Sequence, residues 1–423
     1  MKHTVPRPVL TLRMLTVWVC LIGCERAYAS WPQFLGPTRD GHYTGKALSD
    51  EWPKEGPERV WLRDVGQGFS GPIVQDHRLI LHHRPGGVDR LECMDVRTGK
   101  TIWKQDTPAR YVDDFGFDEG PRATPSVSEG LVTTVSADGW IRCHQLENGS
   151  PVWDVDGKTL WGSRKGFFGL APSPLVDGGR VYLNLGGQKD RSVVCLDLKT
   201  GKLLWGTGSD EASYAAPVLA QWKAAKTLLV LTREAFVGID PGTGKEHFRH
   251  AWRPRIDASV SAATPLIHSG QAFLTASYDT GAVLLEPSAA GVRSVWESES
   301  ALSSHYTTPV LINGYVYGLD GRQERGCSLK CVEWSTGKVR WTEEGFPAGT
   351  LIAAGNRVLI LGDKGELLMA EVTPEKYRLR ARAQILPFLA RAHPALSDGR
   401  FFARSKDKLY CFELSTSGNT PSK

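Results

Sequence analysis

A short stretch that recurs along the chain limits the possible fold more than any other feature of the sequence. Residues Val194–Trp205 are Val-Cys-Leu-Asp-Leu-Lys-Thr-Gly-Lys-Leu-Leu-Trp. Apolar side chains alternate at Val194, Leu196 and Leu198, which is the period of a strand with one buried face. Gly201 can adopt the positive φ that a tight hairpin loop needs. The stretch therefore predicts a strand, a turn and a returning strand.

Copies of this stretch return at intervals of roughly 40 to 50 residues, which is typical of propellers and other repeat arrays. Two copies are degenerate, and the last one is truncated. The eight copies lie at 93–103, 143–153, 194–205, 238–248, 284–296, 331–341, 368–379 and 410–414. Because they occupy nearly the whole chain, they favour one closed array over two or three separate domains.

A proline ahead of most copies, usually after a small residue, marks the start of a short apolar strand. Proline suits the first residue of a strand, where its missing N–H costs little. These prolines are Pro72, Pro125, Pro174, Pro217, Pro265, Pro309 and Pro394, and the seventh repeat has Gly349 instead. Each unit thus predicts four antiparallel strands, and the chain predicts a single all-β, eight-bladed β-propeller over residues 30–414.

The two ends of the repeat array complement each other. Residues 58–62 resemble a fourth strand that no first three strands precede, and the last repeat ends at Leu414 without a fourth strand. We therefore expect the N-terminal strand to complete the last blade, which closes the ring and removes its open edges. Residues 415–423 are mostly small and polar and predict a disordered tail.

One tryptophan position recurs on the predicted fourth strands. A large apolar side chain at one repeat position is expected to be mostly buried between neighbouring blades. The residues predicted to dock blades in this way are Trp61, Trp103, Trp153, Trp205, Trp296 and Trp341.

Residues 1–29 predict an export signal outside the fold. A basic start is followed by an apolar run and by Ala-Tyr-Ala at 27–29, a small-x-small cleavage site. Residues 21–24, Leu-Ile-Gly-Cys, also match a lipobox, which would leave Cys24 lipidated. The two alternatives are a soluble periplasmic or secreted protein and one attached to a membrane through Cys24 alone.

The charge balance argues against nucleic acid as a partner. The chain has 51 basic and 46 acidic residues, a formal net charge of +5, and no long basic run. Nucleic-acid-binding domains concentrate lysine and arginine on one face or stripe. The expected partner is an envelope protein or a small ligand, bound by a monomer.

Cysteines after residue 29 are expected to be buried thiols. Equivalent positions in different blades lie beyond the reach of a disulfide, and cysteine packs well as a small buried residue. Cys327 and Cys331 are only four residues apart, so a bridge between them requires an intervening turn and stays an open alternative. The five cysteines that share one repeat position are Cys93, Cys143, Cys195, Cys331 and Cys411.

The repeat Leu-Asp-x-x-Thr-Gly-Lys-x-x-Trp at 196–205 resembles the PQQ-like β-propeller repeat family. That family includes quinoprotein alcohol dehydrogenases and the propeller lipoprotein of the outer-membrane assembly machinery. The segment 31–41, Trp-Pro-Gln-Phe-Leu-Gly-Pro-Thr-Arg-Asp-Gly, resembles a secreted, planctomycete-type branch of the family. The resemblance covers about residues 31–414, and its motif is specific for the fold but weak for function.

The resemblance raises the question of a quinone cofactor. Dehydrogenases of this family carry two adjacent cysteines over the quinone and a calcium ion beside a catalytic aspartate, but this sequence has no Cys-Cys pair. An acidic cluster lacks the spacing of a calcium-binding hand and equally fits a solvated loop: Asp113, Asp114, Asp118 and Glu119. We expect no PQQ, calcium or other metal and no catalytic residues, with a PQQ-dependent oxidoreductase as the alternative.

Residues just before each first strand are expected to surround one mouth of the propeller channel. Binding sites are enriched in aromatic and arginine side chains. The loops 108–122 and 157–170 are expected to cover the same end, and plugging of the channel is the simpler alternative. The candidate ligand-binding rim is Phe69, Arg122, Tyr214, His305, Tyr306, Arg391 and His393. The sequence therefore predicts an exported binding or scaffold protein for a protein, saccharide or small ligand, with an outer-membrane assembly lipoprotein as a further alternative.

Overall fold

Each predicted repeat forms a four-stranded antiparallel sheet in the computed structural model, and the eight sheets are the blades of a β-propeller. The structure describes Met1 and residues 30–416, except Lys165, Ala258 and Ala290. The predicted signal peptide, the lipidation of Cys24 and most of the predicted tail lie outside the described residues.

The blades follow one another along the chain, except that the last blade takes its outer strand from the N-terminal end. Blade 1 comprises β2 (Ile73–Gln75), β3 (Arg78–His83), β4 (Val88–Asp95) and β5 (Thr101–Pro108); blade 2, β6 (Ser126–Ser128), β7 (Leu131–Val135), β8 (Trp140–Gln145) and β9 (Pro151–Asp156). Blade 3 comprises β10 (Leu175–Asp177), β11 (Arg180–Gly187), β12 (Arg191–Asp197) and β13 (Leu203–Thr207); blade 4, β14 (Val218–Trp222), β15 (Ala225–Leu231), β16 (Ala235–Ile239) and β17 (Glu246–Ala251).

Blade 5 comprises β18 (Leu266–His268), β19 (Gln271–Ala276), β20 (Gly281–Ser288) and β21 (Gly291–Ser298); blade 6, β22 (Val310–Ile312), β23 (Tyr315–Arg322), β24 (Gly326–Glu333) and β25 (Val339–Phe346). Blade 7 comprises β26 (Gly349–Ala354), β27 (Arg357–Gly362), β28 (Glu366–Val372) and β29 (Tyr377–Gln384); blade 8, β30 (Ala395–Ser397), β31 (Arg400–Arg404), β32 (Lys408–Glu413) and β1 (Glu58–Asp64). One short helix, α1 (Gly157–Trp161), follows β9. Within the described residues, no helix is long and apolar enough to cross a membrane.

The repeated turn is held by its aspartate. The Asp197 carboxylate accepts hydrogen bonds from the backbone N–H of Lys199 and Thr200 and from the Thr200 hydroxyl. Gly201 then adopts φ 68°, a conformation that other residues reach only with strain. The predicted hairpin between β12 and β13 is therefore confirmed, and Asp197 caps its turn.

The short first strands surround the central channel. β2 contacts β30, β6 contacts β10, and β22 contacts β26, so the first strands of neighbouring blades lie side by side around the axis. In seven blades the first strand begins one residue after the predicted proline, and in blade 7 it begins at Gly349. The buried apolar side chains form separate clusters at the blade interfaces, which makes each blade depend on its neighbours.

Ring closure is confirmed by the pairing of β1 with β32. The two strands are antiparallel, with Arg59 opposite Phe412 and Trp61 opposite Cys411. A bulge at Val60 separates these two pairs, because the register shifts between Arg59 and Trp61. Beyond the last strand, Ser415 bridges Leu48, so the two ends of the described chain are also joined there.

The predicted docking tryptophans occupy equivalent positions. Trp103 and Trp205 are buried, whereas the other four are partly exposed. In each case the indole Nε1–H donates to a backbone carbonyl in the following blade: Trp61 to Val96, Trp103 to Leu146, Trp153 to Leu198, Trp205 to Pro241, Trp296 to Trp334 and Trp341 to Thr373. The tryptophan therefore contributes a directed hydrogen bond as well as apolar contact.

All six cysteines among the described residues are buried, free thiols. Cys327 and Cys331 lie four residues apart on strand β24 and are both free thiols, so the alternative of a bridge between them is not realised. Burial raises the pKa of Cys331 to about 11 and that of Cys93 to about 12, so neither thiol is activated at neutral pH.

Candidate functional site

The N-terminal segment 31–43 lies across the channel. Trp31 pairs with Val74 of blade 1, Pro32 accepts a hydrogen bond from Val127 of blade 2, and Tyr43 donates to Ala353 of blade 7. A segment that contacts inner strands on several sides of the ring fills the space between them. The sequence suggested only an aromatic, turn-rich lead-in at this point.

Arg39 fixes this segment in the channel. Its guanidinium donates to the backbone carbonyls of Ser173 at 2.8 Å, Pro174 at 3.0 Å and Pro217 at 2.9 Å, and to the Gln33 side chain at 3.0 Å. Burial lowers the pKa of Arg39 to about 9, so the group is still charged at neutral pH. These carbonyls belong to the starts of two first strands, and Arg39 thus ties blades 3 and 4 to the N-terminal segment.

A cavity of about 210 Å³ opens at one mouth of the channel. Its lining combines residues that precede the first strands, residues of the two long loops and one residue of the N-terminal segment. They are Phe34, Phe69, Phe117, Arg122, Thr124, Phe168, Ala171, Ser173, Tyr214, Val260, Ala262, His305, Tyr306, Gln323 and Arg391. Rings and guanidinium groups dominate, and none of these lining residues carries a carboxylate.

Six of the seven predicted rim residues line this cavity, and His393 does not. His393 is buried, with its Nδ1 2.9 Å from the Pro394 carbonyl and its Nε2 3.2 Å from the Leu351 carbonyl. The Phe34 ring stands edge-on to it, with centroids 5.4 Å apart. His393 therefore packs behind the lining rather than facing a ligand.

Sequence reasoning missed several lining residues. Phe34 belongs to the N-terminal segment, while Phe117 and Phe168 belong to the two loops expected at this mouth. The aromatic residues at 31–34 indicated that this segment would be buried, but the sequence did not show which surface their side chains would pack against. Gln323 follows β23 and gave no signal in the sequence.

The guanidinium of Arg122 donates its hydrogen bonds to other groups of the protein. Its Nε donates to the Phe168 carbonyl at 2.7 Å, and its terminal nitrogens donate to the carbonyls of Gly120 and Asp118. Its guanidinium carbon lies 4.6 Å from the centre of the Tyr111 ring. Arg122 therefore holds the two loops together at the mouth and has little capacity left for a ligand.

Arg391 differs from Arg122 because its guanidinium has no hydrogen-bond partner among the described residues, and the buried carboxylate of Asp363 acts on it only electrostatically. Its Nε is buried without a hydrogen bond, and the side chain makes no ion pair with any described residue. The guanidinium carbon lies 5.8 Å from the centre of the Phe69 ring and 5.5 Å from that of Phe117. These ring faces favour the cation, but they leave its N–H edges free to donate.

Two further polar groups face the cavity. The Tyr306 hydroxyl is buried and has no hydrogen-bond partner among the described residues, and burial raises its pKa. His305 contacts the Tyr278 hydroxyl at 2.8 Å and the Gln323 side chain at 3.2 Å. Burial lowers the pKa of His305, partly offset by the hydrogen bond with Gln323, so the imidazole is neutral at pH 7.

Aromatic rings of the two loops form an exposed wall beside the cavity. Phe115 and Phe167 lie 6.5 Å apart between ring centres, and both are exposed. The Tyr214 hydroxyl accepts hydrogen bonds from the backbone N–H of Phe167 and Phe168, each at 3.0 Å. Tyr214 therefore fixes the second loop against blade 4 and positions Phe168 in the lining.

The acidic residues considered as a metal site accept hydrogen bonds that hold the first loop, residues 108–122, in its conformation. Asp113 accepts hydrogen bonds from the backbone N–H of Phe117 at 2.7 Å and of Asp118 at 3.1 Å. Burial would raise the pKa of Asp113, but these hydrogen bonds lower it. Asp118 accepts from the N–H of Gly68 and Gly120. In the described part of the chain, no group of three His, Cys, Asp or Glu side chains is placed to hold a metal ion.

The donor set of the cavity does not fit the calcium ion that accompanies the quinone in the dehydrogenases. Calcium takes six to eight oxygen ligands, chiefly carboxylates and carbonyls. The cavity lining offers arginine, histidine and aromatic side chains without a carboxylate. The lining therefore gives no support for calcium-dependent redox chemistry at this site.

The fold and the site together define an eight-bladed propeller with an aromatic, arginine-bearing cavity at one channel mouth. The chain belongs to the PQQ-like repeat family described as outer membrane protein assembly factor BamB, whose model matches residues 50–159 and 89–343. No curated protein sequence matches the chain.

Solved structures show the same architecture. BamB from Moraxella catarrhalis is 13% identical, with a TM-score of 0.64, and the match covers 86% of this chain and 99% of BamB. The computationally designed Ika8 protein is 14% identical, with a TM-score of 0.60, covering 85% of this chain and 100% of the design. A quinohemoprotein alcohol dehydrogenase from Comamonas testosteroni is 13% identical, with a TM-score of 0.49 and coverages of 93% and 82%. At these identities the similarities to BamB and to the designed protein show the fold alone.

Proposed function

We propose that this protein is an exported binding protein whose ligand occupies the aromatic cavity at the channel mouth. The observation that carries the proposal is Arg391, whose buried Nε has no hydrogen-bond partner among the described residues although the guanidinium lies near two phenylalanine rings. An unpaired donor in a desolvated site costs free energy until an acceptor reaches it. A ligand that supplies this acceptor would recover that cost.

The lining indicates the chemistry of the ligand. Rings on several sides of a small cavity favour a flat, largely apolar molecule. Arg391 and the Tyr306 hydroxyl both donate, so the ligand should carry an anionic or strongly accepting group at one end. A single apolar residue of a partner protein with an adjacent carboxylate would satisfy the same groups.

A fluorescent aromatic sulfonate, 8-anilinonaphthalene-1-sulfonate, is a suitable probe because it combines fused rings with one negative charge. We expect saturable binding to the folded protein, weakened roughly tenfold or more by Arg391→Met, since a hydrogen bond to a charged group is worth about 1.5–3 kcal/mol. Tyr306→Phe should weaken binding by a smaller factor. Arg340→Met is the matched control, because Arg340 is exposed on β25. Equal affinity in Arg391→Met and wild type would refute the proposal.

Export and attachment are part of the same proposal, because the family description names an outer membrane assembly factor. Mass spectrometry of protein recovered from its native envelope should find an N-terminus at Ser30, or a lipidated Cys24 if the scaffold alternative applies. Recovery of an intact N-terminus from exported protein would contradict both alternatives. Lipid labelling that is lost in Cys24→Ser would favour the membrane-attached scaffold.

A further inference from the structure

A second cavity lies between blades 1 and 2, on the outer side of the ring. Its volume is about 340 Å³. The lining from blade 1 and the loop after it is Thr107, Pro108 and Arg110, and the lining from blade 2 is Trp140, Arg142, His144, Pro151, Trp153 and Asp154. Blades 1 and 2 pack elsewhere in this interface through an apolar cluster that includes Trp103 and Leu146, whereas the surfaces that face this cavity carry charged side chains and leave a gap.

The strand β8 organises the polar side of this cleft. Trp140, Arg142 and His144 alternate along β8, so all three side chains lie on one face of the blade. The guanidinium carbon of Arg142 lies 4.9 Å from the centre of the Trp140 ring. Stacking of this kind holds the cation in place without using its N–H donors.

Among the residues that the structure describes, neither the Arg142 nor the His144 side chain has a hydrogen-bond or ion-pair partner. Arg142 is half-buried and makes no hydrogen bond or ion pair within the described residues. His144 is 5% exposed, and its Nδ1 is buried with no hydrogen-bond partner. Burial lowers the pKa of Arg142 and lowers that of His144 to about 4. The cleft therefore presents one unpaired cation and one unpaired neutral imidazole.

Nearby carboxylates do not satisfy Arg142. Asp89 pairs with Arg84 at 2.9 Å, and Asp156 accepts hydrogen bonds from Thr159, at 3.0 Å from its backbone N–H. Asp154 stands opposite Arg142 on β9, but it is exposed and forms no ion pair with it. The lining itself carries the guanidinium groups of Arg110 and Arg142 and the solvated carboxylate of Asp154. Asp138 acts on Arg142 electrostatically from outside the lining, without an ion pair, and accepts a hydrogen bond from the Ser136 hydroxyl.

We propose that this cleft is a second binding site, which takes a small carboxylate attached to a flat apolar group. The planar fork of Arg142 matches a carboxylate in a bidentate arrangement, and the His144 imidazole lies beside it in the lining. The indole of Trp140, together with Pro108 and Pro151, gives apolar surface for the rest of the ligand. The site is independent of the channel-mouth cavity, because the two share no lining residue.

Benzoate is the probe, and the protein labelled with 5-fluorotryptophan gives the readout by ¹⁹F NMR. The Trp140 resonance is the one that disappears in Trp140→Phe. We expect benzoate to shift this resonance saturably, and benzyl alcohol, which lacks the charge, to leave it in place. Arg142→Met should weaken binding roughly tenfold or more, because a charged hydrogen bond is lost, and Arg142→Lys should fall between Met and wild type because it keeps only the charge.

Two further variants separate this site from its surroundings. Asp154→Asn should strengthen benzoate binding, since it removes the competing carboxylate. Arg391→Met should leave the benzoate titration of the Trp140 resonance unchanged. If the channel-mouth cavity binds no ligand, the proposal for this cleft is therefore not affected. Unchanged positions of the tryptophan resonances outside this cleft, which excludes those of Trp140 and Trp153, would show that each variant is folded. The proposal is overturned if benzoate does not shift the Trp140 resonance, or if Arg142→Met binds it as well as wild type.

Discussion

The indole of Trp153 in blade 2 lies directly over Gly201 in the turn of blade 3. A Cβ atom at Gly201 would stand 2.6 Å from Cδ2 of that indole, while the indole Nε1–H donates to the Leu198 carbonyl at 2.8 Å. The glycine of the repeat therefore has two functions, because it permits the positive φ of the turn and leaves room for the tryptophan of the adjacent blade. The same glycine-under-tryptophan contact occurs at Gly99, Gly149, Gly244 and Gly337.

Gly201→Ala should destabilise the protein more than Gly355→Ala. Both glycines have φ near 65–68°, but a Cβ at Gly355 meets nothing within 4 Å. The Gly355 substitution should cost about 1–2 kcal/mol for backbone strain, and the Gly201 substitution roughly 1–3 kcal/mol more for overpacking. Urea unfolding of both variants measures the difference. In a Trp153→Ala background the difference should disappear, and its persistence would show that the contact with Trp153 is not its cause.

Arg39→Met should lower the free energy of unfolding by roughly 3 kcal/mol or more, since the buried carbonyls of Ser173, Pro174 and Pro217 would lose their donor. Denaturant unfolding followed by tryptophan fluorescence is the measurement. Arg340→Met, which removes an exposed arginine, should change stability by less than about 0.5 kcal/mol. Equal stability of the two variants would mean that the N-terminal segment does not hold the channel.

Removal of residues 30–64 should cost several kcal/mol and promote association, because the open edge of β32 is a template for pairing with another chain. Light scattering and thermal unfolding would test this. Arg39→Met is again a useful comparison, since it weakens the N-terminal segment but keeps β1, and we expect it to stay monomeric. A truncated chain that remained monomeric with an unchanged melting temperature would contradict closure through β1.

His393 should make the protein sensitive to mild acid. Burial lowers its pKa to about 4, despite hydrogen bonds with two carbonyl oxygens. In the unfolded chain the histidine has its ordinary pKa of about 6.5. The free energy of unfolding therefore keeps its full value above pH 6.5 and falls as the pH decreases toward 4. The loss for a group this buried is roughly 3 kcal/mol.

The test is the free energy of unfolding at pH 7 and pH 4.5 in wild type, His393→Gln and His77→Gln. Loss of stability on acidification should be smaller in His393→Gln than in wild type. His77 is exposed, so its variant should follow wild type. Parallel pH profiles for all three proteins would show that protonation of His393 does not contribute.

The sequence alone determined the blades, the turns and the closure of the ring. The hairpin at 194–205 depends on strand alternation, a capping aspartate and a turn glycine. All three act between residues a few positions apart in the chain, so the sequence alone predicts the hairpin. Repetition then imposed the architecture, since four-stranded units with one apolar face cannot bury it except against copies of themselves. The unmatched strand at 58–62 had one free edge to pair with, and it pairs with β32.

Only the tertiary structure decided what fills and surrounds the channel. Phe34 and Arg391 lie at opposite ends of the chain yet line one cavity, and no local pattern predicts which loops meet across a ring. The same holds for Arg39, whose partners lie in blades 3 and 4. Arg122 makes structural hydrogen bonds, whereas Arg391 and Arg142 keep donors that no described residue accepts. The difference depends on which carbonyls and carboxylates folding brings near each guanidinium, and neither residue type nor spacing encodes this.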